Sequence, residues 1–236
     1  MNQLKSFSQY ILQIAYKYGL NSVFDDFLEM TVCALSLSAK EDRYHEIVRN
    51  YEKPDAYLMA EAFGALVLEM DNNGVGLKDG FGDFYMEYIS HGHNGQFFTP
   101  EPVCELVARM LNPAGFGERV ADCCCGSGRM LLAAAKIKRD CLFFGADIDR
   151  TCTMMCLNNL CLNGLLGEVC WMDTLSNRFY AGWRIELHPE HGIPYIREIT
   201  KDESYLVLRI PDAKKELTAS AADKTASPTH QLLFEF

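Results

Sequence analysis

The stretch from residue 119 to residue 137 does most to limit what this chain can fold into. An apolar strand pattern over residues 119–124 runs into the turn Asp122-Cys123-Cys124-Cys125-Gly126-Ser127-Gly128. A helical pattern follows over residues 127–137. Glycines at 126 and 128 let a ligand come close to backbone at a helix N-terminus, where N–H groups lack partners. A second apolar strand, residues 142–147, ends in Asp147, nineteen residues after Gly128. A strand, a Gly-x-Gly turn and a later acid together form a nucleotide or nucleoside site.

The flanking pattern extends this unit. Residues 100–111 read as a helix opened by Pro100 and Pro102, residues 150–163 as a helix ended by Gly164, and residues 168–172 as a third strand. A βαβαβ succession implies a parallel sheet with right-handed crossovers. Residues 1–93 read as a helical N-terminal domain, with helical spacing at Tyr10, Ile11, Ile14, Phe24, Phe27 and Leu28. A helix opens near Pro54, and another is expected over residues 80–90. The second domain is set at residues 94–211. In its last part, residues 183–187 are expected as a strand, and residues 193–199 and 205–210 as a hairpin. Residues 212–236 are rich in Ala, Ser, Thr and Lys and read as a disordered tail. Its last six residues, Gln-Leu-Leu-Phe-Glu-Phe, are read as packing back on the domain.

Composition removes several classes of function. The net charge is −10, and no Lys/Arg cluster exceeds Lys136, Lys138 and Arg139. DNA-binding surfaces carry basic stripes, so this chain alone is expected to bind DNA poorly. No signal-peptide stretch or membrane-spanning run is evident, and a cytoplasmic protein is expected. Nine of the ten cysteines fall between Cys104 and Cys170, without paired C-x-x-C spacing. They are read as small buried thiols in a reducing compartment, with no metal site.

The ligand can be narrowed. Dinucleotide turns need a third glycine, and Leu131 stands at that place, which counts against a nicotinamide enzyme. S-adenosylmethionine carries no phosphate. Its ammonium suits Asp122, its ribose diol suits Asp147, and its adenine amino group suits Asp173, each at the end of a parallel strand.

The hexapeptide Gly95-Gln96-Phe97-Phe98-Thr99-Pro100 adds a resemblance. It is similar to the hexapeptide of adenine-N6 DNA methyltransferases, in particular the modification subunit of type I restriction systems. Residues 122–128 resemble that family's D-P-x-C-G-S-G, Gly145-Ala146-Asp147 its G-x-E, and Met172-Asp173-Thr174-Leu175 its G-D-T-L. Asn158, Asn159 and Asn163-Gly164 resemble its asparagine-rich helix end. The segment from Asp79 to Tyr88 is similar to the D-x-L-G-x-x-Y-E that precedes the hexapeptide. The resemblance implies a Rossmann-like α/β fold, a partial parallel sheet binding S-adenosylmethionine, with a helical N-terminal domain. It assigns Gln96, Phe97, Phe98, Thr99, Asp122, Gly126, Ser127, Gly128, Asp147, Ile148, Asp173 and Thr174 to the cofactor. It also implies methyl transfer to adenine in DNA and a specificity or other partner subunit. Two departures stand out: Cys123 replaces a proline, and Arg129 replaces a glycine, where it would crowd the cofactor or pair with its carboxylate.

One part of the family pattern is missing. The Asn-Pro-Pro-Phe that holds a flipped adenine is absent, because the sequence has no Pro-Pro pair. Gly192-Ile193-Pro194-Tyr195 stands in about the right place but lacks the Asn. Two readings therefore stay open: a methyltransferase, and a catalytically inactive truncated homologue that binds cofactor or a partner.

Overall fold

The structure is a computed structural model that describes residues 5–90 and 97–209. Gly95 and Gln96 of the hexapeptide, and the tail expected at residues 212–236, lie outside the described residues.

Five strands form one sheet in the order β1-β2-β3-β4-β5: β1 (Arg119–Asp122), β2 (Leu142–Asp147), β3 (Gly167–Asp173), β4 (Arg178–Leu187) and β5 (Pro194–Ile199). The first three are parallel, as the βαβαβ pattern requires, and β4 and β5 add antiparallel. The chain is thus an α/β protein with a partial parallel sheet of Rossmann-like form. The crossovers α7 (Arg129–Ile137) and α8 (Arg150–Leu162) pack on one face, with α6 (Glu101–Leu111) beside α7.

Helices α1 (Phe7–Tyr18), α2 (Leu20–Leu35), α3 (Glu41–Val48) and α4 (Lys53–Asp71) form a layer outside α8. The short α5 (Gly80–Phe84) continues as a π-helical turn, Tyr85–Ile89. One apolar core runs from Phe7, Phe24 and Phe27 through Phe81, Leu157 and Leu160 to Val169 and Ile196. Helix α8 sits inside that core, so Cys152 through Cys161 are all buried. This explains its sequence: a helix with no solvent face needs apolar and small residues all round. Every cysteine but Cys123 and Cys124 is buried. Among the described residues, no helix is long and apolar enough to cross a membrane.

The expected hairpin at residues 193–199 and 205–210 does not form. Strand β5 pairs with β4, which begins at Arg178 rather than at residue 183. The cause is Glu168, a fully buried carboxylate on β3. It accepts from the Ser204 hydroxyl (2.6 Å) and the backbone N–H groups of Tyr205 (3.0 Å) and Leu206 (3.4 Å), and it pairs with Arg184 (3.1 Å). Backbone amides bound to a carboxylate are not free for a strand ladder. Residues 204–209 cross the sheet face opposite α8 instead, with Leu206 and Val207 against Ala146, Cys170 and Met172. Glu168→Ala is expected to lower stability by about 2–4 kcal/mol, because it strips those donors of their acceptor and leaves Arg184 with the Glu203 carbonyl but no carboxylate. Urea unfolding measures this; a loss within experimental error would remove Glu168 as the pin of this segment.

Candidate functional site

The carboxyl ends of β1, β2 and β3 are tied by a few hydrogen bonds. Gly126 N–H donates to Asp147 Oδ2 (2.9 Å), Asp149 N–H to Asp147 Oδ1 (2.9 Å), and Thr174 Oγ1 to the Cys123 carbonyl (3.3 Å). The Gly-x-Gly turn, the second-strand acid and the third-strand end thus share one crevice. Burial pushes the Asp147 carboxyl above the ordinary aspartate range. Asp122 is half-buried and accepts from Cys124 N–H (3.0 Å). Asp173 caps its own turn, accepting from Leu175 and Ser176 N–H and the Ser176 hydroxyl. That hydroxyl, first among the causes, holds the Asp173 carboxyl below the usual range.

The aromatic pair divides. Phe98 stacks on Tyr85 (5.6 Å between centroids, 21° between planes) and lies over Gly126. A Cβ on Gly126 would stand 3.0 Å from that ring, and Gly126 has φ +53°, so the residue is glycine for two separate reasons. Phe97 is exposed, and so is Ile148, whose carbonyl accepts from Trp171 Nε1 (2.9 Å). Thr99 is exposed, its carbonyl taking the Cys104 thiol. Gly128, at φ +87°, opens α7 with Cys156 packed against it. The free Cys125 thiol, hydrogen-bonded to the Cys156 thiol and buried, is held well above the ordinary thiol range and serves as packing.

Ser127 is turned away from the strand ends. Its hydroxyl donates to Asp79 Oδ2 (2.5 Å), and its carbonyl accepts from Asn159 Nδ2 (2.8 Å). Asp79 is the hub of this arrangement. It also takes Asn159 Nδ2 (2.6 Å), Gly82 N–H (2.8 Å) and Arg129 Nε (2.9 Å), and Arg129 reaches on to Asp83 (2.7 Å). The Arg129 side chain is directed to the helical layer, where its Nε and Nη2 are engaged by Asp79 and Asp83. A side chain on Gly82 would collide with the Asp79 carboxylate and the Ser127 hydroxyl. The tie from Asp79 to the turn escaped sequence reasoning. The available signal was polar Asn158 and Asn159 inside an otherwise apolar helix.

The segment Gly192-Ile193-Pro194-Tyr195 falls at the wrong end of the sheet. Leu187 pairs with Pro194 beyond the Gly167–Ile185 pair, at the amino end of β3, and the Tyr195 hydroxyl bonds Glu186 (2.9 Å). It stands a strand's length from Asp122, Asp147 and Asp173.

Residues 77–185 match the family described as N-6 DNA Methylase. A curated relative, the type I restriction enzyme MpnII methylase subunit of Mycoplasma pneumoniae, is 26% identical over 67% of this chain and 32% of its own length. The chain therefore spans about a third of that relative. A crystal structure of a type I restriction-modification methyltransferase subunit from Streptococcus thermophilus overlaps 67% of this chain and 56% of its own. That overlap has 17% identity and a TM-score of 0.34, too slight to bear on the fold. The matched segment takes in the turn, the three strand ends and the Asp79 hub, and over that segment the chain is similar to N-6 DNA methylases.

Proposed function

We propose that the chain binds S-adenosylmethionine across the carboxyl ends of β1, β2 and β3, as the methyl-donor part of an adenine-N6 DNA methyltransferase of restriction-modification type. The observation that carries this is the Gly126–Asp147 hydrogen bond, which joins the turn to the second-strand acid in one crevice. The chemistry of the donor set fits the cofactor. Each Asp147 oxygen accepts one backbone N–H and keeps a lone pair for a ribose hydroxyl. Exposed Ile148 offers an apolar surface to the adenine ring, Asp122 offers charge to the ammonium, and Phe97 and Phe98 flank the methionine end. Gln96, Thr99, Gly128, Asp173 and Thr174 complete the set, with Ser127 acting through its hold on the turn. When bound, the cofactor supplies an electrophilic methyl group. The chain's own work is to orient it through these contacts and to exclude water with the aromatic pair.

Cofactor affinity is expected to weaken toward acid pH. The ribose diol needs the ionised Asp147, whose carboxyl titrates above the ordinary aspartate value. Protonation on lowering the pH through that value removes the acceptor, so binding is full above it and lost below it. Calorimetric titration at a series of pH values tests this, and affinity unchanged down to the ordinary aspartate pKa would take Asp147 out of the site.

A second reading has its own support. No Pro-Pro pair exists in the sequence, and Pro194-Tyr195 lies at the far end of the sheet. A chain that holds cofactor without transferring methyl groups accommodates both facts. Tritiated methyl transfer to unmethylated DNA separates the readings: turnover by this chain alone defeats the inactive reading. With an acidic chain, DNA contact is assigned to a partner, such as a specificity subunit, in the cytoplasm.

A further inference from the structure

The cofactor crevice gives no task to the thiol of Cys123, which stands where the resembled motif carries a proline. Cys124 follows it directly. All ten cysteines are free, and these two are the exposed ones, the other eight being buried. Neighbours on an extended strand point to opposite faces, but β1 ends at Asp122 and both cysteines lie in the turn after it. The turn lets the two side chains converge, and their thiols share a hydrogen bond. A single peptide unit joins the pair, and both of its polar groups are used. Cys124 N–H donates to Asp122 Oδ1 (3.0 Å), and the Cys123 carbonyl accepts from Thr174 Oγ1 (3.3 Å). That unit ties the end of β1 to the residue that follows β3. Burial first, then Cys123, Asp147 and Asp122, raise the Cys124 thiol above the ordinary range. A raised thiol gives less thiolate but a more nucleophilic one, so exchange at this pair is slowed and not prevented.

We propose that Cys123 and Cys124 form a redox-active vicinal dithiol, which a small-molecule disulfide closes into a bond between the two sulfurs. One cysteine loses its proton to solvent, and its sulfur attacks the small disulfide and displaces one thiolate. The second cysteine, deprotonated in turn, attacks the mixed disulfide so formed and displaces the other thiolate. Each displaced thiolate takes up one proton. Two protein thiols are thereby oxidised, and one small disulfide is reduced to two small thiols. The second displacement is intramolecular, which favours closure over arrest at the mixed disulfide. The new bond closes a small ring that contains the peptide unit between Cys123 and Cys124. Closing that ring turns the unit, and its hydrogen bonds to Asp122 and Thr174 are lost. A strained, exposed disulfide is readily reduced, so the change is reversible.

Oxidised glutathione is the probe, applied to the full chain and read by mass spectrometry of tryptic peptides. The peptide of residues 120–129 is expected to lose two hydrogens as an internal bridge and to regain them with dithiothreitol. The bridged form should exceed the glutathione adduct by about ten-fold. Cys123→Ser and Cys124→Ser are each expected to abolish the bridge and to leave glutathione on the remaining exposed thiol, whereas Cys125→Ala should keep the bridge. Glutathione adducts without a bridge in the parent chain overturn the proposal. A bridge that survives either serine variant overturns it too, as does a cross-link from residues 120–129 to residues 151–178, which would join Cys125 to Cys156. Circular dichroism of each variant separates lost chemistry from unfolding. Titration of the reduced and bridged chains with S-adenosylmethionine reads the effect on the strand ends, and this arm rests on the cofactor reading. Binding about ten-fold weaker in the bridged chain is expected. Equal affinity overturns the coupling to the crevice. A reduced chain that does not bind sinks the cofactor reading, while the peptide masses still decide the dithiol.

Discussion

Asp79→Ala is expected to lower unfolding free energy by about 3–5 kcal/mol. Asp79 is buried and accepts from Ser127, Asn159, Arg129 and Gly82 at once. Alanine leaves a buried amide and a buried hydroxyl without their acceptor, and it leaves the Arg129 guanidinium held only by Asp83. Each stranded donor costs on the order of 1–3 kcal/mol, and the terms are not additive because they share one network. Asp79→Asn should fall between, since one amide oxygen replaces two carboxylate oxygens. Urea unfolding of the three chains measures the series, and a loss under about 1 kcal/mol for alanine would show that Asp79 is not the hub. A functional consequence follows. Asp79 holds Ser127, and Ser127 sits between the two glycines of the turn, so the variant should also loosen the cofactor crevice while Asp147 stays unchanged.

Asp147→Ala is expected to weaken S-adenosylmethionine binding by about 100-fold or more, with little change in secondary structure. Two hydrogen bonds to a charged acceptor are each worth roughly 1.5–3 kcal/mol, and every 1.4 kcal/mol is ten-fold in affinity. The same carboxylate positions Gly126 and Asp149, so the turn loses its tether along with the ribose its acceptor. Asp149→Ala serves as the contrast. It caps α8 through Cys152 N–H (2.9 Å) and should cost helix stability of about 1 kcal/mol rather than affinity. If calorimetry finds the Asp147 variant binding as tightly as the parent chain, the crevice reading fails even though the similarity to N-6 DNA methylases stands.

Much of the parallel half was legible in the sequence, for a local reason. Strand, glycine turn and helix are each written within a few residues, in period-two and period-3.6 apolar patterns. Residues 142–147 were expected and found as a strand, and the expected edges at 119 and 137 held as the start of β1 and the end of α7. The choice of hairpin was not legible. Residues 183–187, 193–199 and 205–210 carry similar apolar patterns, and what separates them is a buried carboxylate on β3, distant in sequence from all three. The side-chain direction of Arg129 was hidden for the same reason, since Asp79 and Asp83 lie some fifty residues away.

By itself, then, the sequence determined the βαβαβ unit, the turn with its two glycines, and the three acids at successive strand ends. These depend on neighbours within a turn or two of chain, where sterics and hydrogen-bond partners are local. Only the tertiary structure decided which way Ser127 and Arg129 face, which strand pairs with β4, and that Pro194-Tyr195 stands at the opposite end of the sheet. Those outcomes turn on buried charges, Asp79 and Glu168, whose desolvation is tolerated only where distant donors converge on them.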